Sequence, residues 1–116
     1  MIIIQLAGGL GNQMQQYAMY QKFLSIGKKV KLDISWFEEA DRQKNVYAKR
    51  ELELNYFKKA EYEACTKEER EAMIGSGSLA GKIKGKLFPG ARKIFRESEM
   101  YHPEIFDFED KYLYGY

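Results

Sequence analysis

The chain has 116 residues, 45% of them hydrophobic, which is the length of one ordinary domain and enough to bury about two thirds of the surface its unfolded form exposes. Its 19 Lys and Arg against 17 Asp and Glu leave a formal charge of +2, too weak a field to argue for nucleic acid or a membrane surface, so a phosphate-bearing ligand would have to be bound by local geometry. The single cysteine, Cys65, excludes an internal disulfide and a multi-thiolate metal site within one chain, and fits a reducing compartment.

The opening "MIIIQL" lacks the basic segment and long apolar core of a secretory signal. No later run approaches the ~20 apolar residues that span a bilayer, so the expectation is a soluble, cytoplasmic chain without a transmembrane segment. Ile2, Ile3, Ile4 and Leu6 are an apolar, β-branched run that stops at glycines. That pattern predicts a strand over 2–6 buried on both faces, the first and central strand of a parallel sheet. After Gly8, Gly9 and Gly11, Asn12 can cap a helix with Gln15 three residues on. Met14, Tyr17, Ala18 and Leu24 recur at helical spacing, predicting a helix over 12–26 that Gly27, Lys28 and Lys29 bring to a stop. Val30, Leu32 and Ile34 then alternate with Lys31 and Asp33, predicting a parallel strand over 30–34. The result is a βαβ unit, whose right-handed crossover puts the glycine loop at the carboxyl edge of the sheet, where open α/β folds bind ligands.

Beyond Trp36, "FEEADRQKNVYAKR" is polar and loop-like, and "ELELNYF" suits either a strand or an extended docking segment. Thr66 and Glu69 form a capping box that opens a short helix, "KEEREAMI", ended by Gly75. The stretch "GSGSLAGKIKG", 75–85, is the best flexible-loop candidate. Finally "DKYLYGY", 110–116, has the aromatic content of a strand. Three strands with few covering helices amount to part of a doubly wound domain, so the expectation is an incomplete α/β unit over 1–116.

Three readings compete for the glycines. A dinucleotide fingerprint is suggested by Gly9-Leu10-Gly11 between strand and helix, with the acidic Asp33 about 20 residues on; its third glycine, however, should stand at Met14. A tight turn needs glycine only for positive φ and close packing. Anion or sugar-nucleotide binding would use amides at a helix N-terminus, with Asn12 and Gln13 adding directional donors and acceptors. A Walker loop fits worse than the dinucleotide fingerprint, since no Gly-Lys-Ser/Thr follows. Asp33, Glu38 and Glu39 read as solvated acids rather than bases, and the single histidine, His102, as a surface or strand-edge residue.

The whole string "GGLGNQMQQYA", 8–18, resembles the N-terminal signature of the α-1,2-fucosyltransferases of glycosyltransferase family 11, which reads close to Gly-Gly-Leu-Gly-Asn-Gln-Met-Phe-Gln-Tyr-Ala. The departure is Gln15, where the family has phenylalanine. The resemblance continues in order through "LDISWF", "RELELNYF" and "YHPEIFDFEDKYLYGY", after which family members commonly continue with Trp-Gln-Ser. It implies the N-terminal, Rossmann-like portion of a two-domain GT-B transferase that moves L-fucose from GDP-β-L-fucose to the 2-hydroxyl of a terminal galactose with inversion. No metal or cofactor is implied beyond the GDP-fucose donor; a galactose-terminated glycan is the implied acceptor, and membrane association is within the family's range. The matching donor-binding positions are Gly8, Gly9, Leu10, Gly11, Asn12 and Gln13. The family's downstream His-x-Arg-Arg-x-Asp does not occur in these 116 residues, so catalytic residues stay unassigned and the chain is expected to be inactive alone. Two other classes stay open: a small nucleotide-binding module, and a structural α/β domain that self-associates through exposed Tyr112, Tyr114 and Tyr116.

Overall fold

Strands β1 (Ile2–Gln5), β2 (Val30–Asp33), β3 (Ile94–Arg96) and β4 (Lys111–Tyr114) form one sheet in the order β2-β1-β4-β3, with every neighbouring pair parallel. These come from a computed structural model that describes residues 1–44, 48–74, 94–96 and 102–115, so the loop expected at 75–85 and Tyr116 lie outside the described residues. β1 is interior, as its composition predicts: Ile2, Ile3, Ile4 and Leu6 are fully buried, and each such side chain contributes roughly 1.5–3 kcal/mol of burial.

Register sorts the two faces. Ile2, Ile4, Val30, Leu32 and Leu113 point to one side, where they meet Tyr20 and Phe23 of helix α1 (Leu10–Ser25) together with Leu54 and Ile105. Phe106 closes this core against the Phe23 ring at 5.3 Å. Ile3, Asp33 and Tyr112 have the opposite parity and face the side of α3 (Lys67–Ile74), from which the buried Arg70 reaches Asp33.

Both ends of α1 have identifiable causes. Its N-cap is Gly9, with no side-chain cap, so the helix starts two residues before the expected Asn12, which instead lies in the first turn; Gln15 is not a capping partner. At the other end Gly27 adopts φ +81° and donates its N–H to Leu24 O, while Lys28 N–H goes to Phe23 O. This is the 5→2 and 6→1 pair that terminates a helix at glycine, as expected of this position. The Thr66 and Glu69 capping box also forms, each backbone N–H donating to the other's side chain at 3.0–3.1 Å.

Other expectations are corrected. β2 ends at Asp33 because the chain turns at once into α2 (Ser35–Glu38), a single helical turn followed by a 3-10 turn, Ala40–Gln43, so "FEEADRQ" is not loop throughout. Within "ELELNYF" the residues Glu53–Tyr56 form a 3-10 turn rather than a strand. A fourth strand, β3, was not expected, and it makes β4 an interior strand. Tyr112 is 4% exposed rather than a surface aromatic, which takes it out of the expected tyrosine interface, and Tyr114 is half-buried. The outer edge of β2 is covered by residues 63–65, with Cys65 N–H donating to Leu32 O and Leu32 N–H to Glu63 O. Among the described residues no helix is long and apolar enough to cross a membrane.

Candidate functional site: the glycine loop

The loop after β1 leaves the carboxyl edge of the sheet between β2 on one side and β4 on the other. Strand order reverses there, which is where open parallel sheets form a crevice. Gly8 has φ +84°, and a Cβ on it would come within 2.6 Å of Asn12 Nδ2, so glycine is demanded by the fold. Two buried glutamines hold the loop. Ala7 N–H donates to Gln16 Oε1 at 3.1 Å and Gln16 Nε2 donates back to Ala7 O at 3.2 Å, as a neighbouring strand would. Gln13 Nε2 donates to Gly8 O and Glu51 O, while Leu54 N–H donates to Gln13 Oε1. Gln13 thus faces inward and binds protein, shaping the loop from beneath.

The outward side differs. Gly11 is exposed, and nothing lies within 4 Å of where its Cβ would be. The first-turn amides of Leu10, Gly11 and Asn12 have no acceptor within the helix by geometry and none among the described residues. The exposed Asn12 side chain likewise has no hydrogen-bond partner among them. Over Gly9 lies the guanidinium of Arg50, whose Nη1 is 3.4 Å from the position a Gly9 Cβ would take. Arg50 is fastened through its backbone: its N–H donates to Gln43 Oε1 at 2.7 Å, and Gln43 Nε2 donates to its carbonyl at 3.0 Å. The expected site residues Gly8, Gly9, Leu10, Gly11, Asn12 and Gln13 are thus one contiguous loop with two sides. Arg50, Gln16 and Gln43 were not anticipated. An arginine opening "RELELNYF" was the available signal for the first, and nothing local marks the glutamines.

Asp33 is 2% exposed rather than solvated. It accepts hydrogen bonds from the Tyr112 hydroxyl and from Ser35 N–H at 3.0 Å, and Arg70 Nη1 lies 3.7 Å away while Arg70 Nη2 donates to Glu39. Its carboxylate is thus spent on protein partners on the α3 face of the sheet. Met14, at the position of a third fingerprint glycine, is 52% exposed and makes no helix-to-strand packing. The dinucleotide reading loses both supports. Burial and the bond to Asp33 push the Tyr112 hydroxyl well above its usual range. Burial, then the Asp33 charge, push the Cys65 thiol up to about 11, so it is a poor nucleophile. A cavity of about 180 Å³ opens beside Asp33, Glu39, Cys65 and Arg70. Glu38 and Glu39 are exposed, as expected, and His102 is half-buried, its Nδ1 2.8 Å from a Glu104 oxygen and its ring edge-on to Phe95. Among the described residues no cluster of His, Cys, Asp and Glu is placed to hold a metal ion.

Compared with family models, curated proteins and solved structures, the chain gives no match.

Proposed function

We propose that the chain supplies the glycine-loop wall of an inverting α-1,2-fucosyltransferase of GT-B type, which moves L-fucose from GDP-β-L-fucose to the 2-hydroxyl of a terminal galactose. The observation that supports it is Gly11. In a helical turn glycine is about 0.5–1 kcal/mol worse than alanine, yet no neighbour forbids a side chain there. Its bareness serves a ligand's approach to the amides of Leu10, Gly11 and Asn12, and these residues stand within the eleven-residue string that resembles the family's signature.

As the glycosidic bond breaks, negative charge builds on the GDP phosphates, and amides fixed at the positive end of α1 stabilise that change more than they stabilise the ground state. Asn12 adds a side-chain amide at the mouth of the loop, while Gly8 and Gln13 fix its shape. Transfer also needs the acceptor and a cationic group in register, and holding reactants together is worth ~7–11 kcal/mol of barrier. The sequence has no His-x-Arg-Arg-x-Asp to complete this, which equally favours a second reading, a nucleotide-binding module without transfer.

The deciding experiment is radiolabelled transfer from GDP-fucose to lactose. It is run with the 116-residue chain and with the same chain joined to a family-11 half carrying the arginine motif. Product is expected only from the joined protein, and is lost when it carries Gly11→Ala. Comparable product from both would overturn the one-wall reading. A joined protein that melts cooperatively and binds GDP but makes no product would overturn fucosyl transfer and leave the binding module.

A further inference from the structure

We propose that α3 is a releasable strap: ion pairs hold it on the sheet, and rising ionic strength frees it about a hinge between Cys65 and Thr66, opening the cavity beside Asp33. The device is independent of any ligand at the glycine loop.

The eight residues of α3, KEEREAMI, are too few to be a stable helix alone in water, so the helix depends on what it touches. Yet it adds little to the apolar core. Ala72 and Ile74 are exposed and Met73 is half-buried, and among the described residues no side chain of α3 belongs to that core or packs against it. The side chain it does bury is a charged one, Arg70. What joins α3 to the rest of the fold is charge. Arg70 Nη2 donates to Glu39 at 3.0 Å, Arg70 Nη1 lies 3.7 Å from Asp33, and Lys31 Nζ donates to Glu69 at 2.9 Å. The Glu39 and Glu69 carboxylates are partly open to solvent, so dissolved ions reach and screen these pairs. A segment with few buried apolar contacts opens at a lower free energy than the core strands beneath it.

Release strands no charge on the sheet side. Breaking a buried ion pair costs most through the partner left alone. Here each partner already holds a second group outside α3. Lys31 keeps Glu63, 3.1 Å away; Asp33 keeps the Tyr112 hydroxyl and Ser35 N–H; Glu39 keeps Arg42, 3.4 Å away. The hinge is equally well marked. Residues 63–65 are fixed to the edge of β2, with Leu32 N–H donating to Glu63 O at 2.9 Å and Cys65 N–H to Leu32 O at 2.8 Å. The reciprocal Thr66 and Glu69 bonds begin at the next residue and travel with the helix.

The cavity of about 180 Å³ takes Ser35 and Glu38 of α2 on one side and Lys67 and Arg70 of α3 on another, and Asp33 and Cys65 also line it. Departure of α3 removes one wall. It admits water to the Asp33 carboxylate and reduces the burial of the Cys65 thiol, which then serves as a reporter.

Hydrogen exchange of the full chain, read by mass spectrometry at about 20 mM and about 500 mM KCl, tests the strap. Protection of amides 71–74 is expected to fall about fivefold or more with the added salt, while that of β1 stays within about twofold. Cys65 should react faster with a neutral disulfide probe under the same change. Glu69→Gln keeps a capping-box residue but loses the charge that faces Lys31, so its α3 should exchange faster at low salt and respond less to added salt. Glu71→Gln removes a charge paired within the helix to Lys67, at 4.0 Å, and should change neither. Protection of α3 that is the same at both salt levels, or that falls only together with that of β1, overturns the strap. Equal losses in Glu69→Gln and Glu71→Gln overturn it too, because the effect would then belong to helix charge and not to docking.

Discussion

Replacing Gly11 and Gly8 by alanine, one at a time, separates a glycine kept for a ligand from one kept for the fold. Gly11→Ala adds a methyl group into open space in a helical turn, so the propensity gain of about 0.5–1 kcal/mol stands without a packing penalty. For a chain of this length that raises the melting temperature by about 2–6 °C. Gly8→Ala goes the other way. Its φ of +84° costs an L-residue about 1–2 kcal/mol. The 2.6 Å contact with Asn12 Nδ2 adds less, because that amide is the free end of a side chain that can swing aside. Thermal unfolding followed by circular dichroism, paired with GDP titration, reads both effects. Gly11→Ala should be the more stable protein and the weaker binder. A fall in its melting temperature, or a rise with unchanged GDP affinity, would refute the assignment of Gly11 to a ligand.

Tyr112→Phe removes a donor from the buried Asp33 carboxylate and should cost about 1–3 kcal/mol in urea unfolding, with Asp33→Asn partly rescuing it. The Cys65 thiol, raised from 9.0 to about 11, should react with a disulfide probe at pH 8 about a hundredfold more slowly in the native chain than in urea. Because the unfolded chain loses that proton first, stability should fall from about pH 8.5 towards 11, and Cys65→Ala should flatten this limb. At the acid end, hydrogen bonds from Lys31 and from the Thr66 backbone hold the Glu69 carboxyl below its usual range. The stability it lends is present above about pH 4.3 and lost as pH falls through the lowered value, so Glu69→Gln should blunt acid unfolding.

What was legible in the sequence is what short-range patterns control. The apolar run of β1, the alternation in β2, the aromatic run of β4, the helix stop at Gly27 and the Thr66–Glu69 box all depend on residues within a few positions of one another. β3 escaped because three residues, Ile94–Arg96, flanked by charges carry too little periodicity to register. The start of α1 was misplaced because a side-chain cap was sought at Asn12, whereas the chain uses the backbone of Gly9. The buried polar residues were illegible for a different reason. Glutamine, aspartate and arginine are mostly surface residues, and the partners that make burial tolerable here are remote: Gln13 with Leu54, 41 positions on, and Asp33 with Tyr112, 79 positions on. Arg50 belongs with them, since only the folded chain lays it over Gly9.

The three buried glutamines around the loop have a consequence for how any ligand would respond to solvent conditions. A carboxamide is neutral at every working pH, and its hydrogen bonds are not screened by ions, so Gln13, Gln16 and Gln43 keep one loop geometry where ion pairs would loosen. The loop's backbone amides and carboxamides do not titrate, so a change in affinity between about pH 5 and 8 reports the ligand's own ionisation, which for a terminal phosphate falls near pH 6. Added salt would in turn weaken the attraction without reshaping the receptor, making the glycine loop a fixed template against which the charge of an anion can be read.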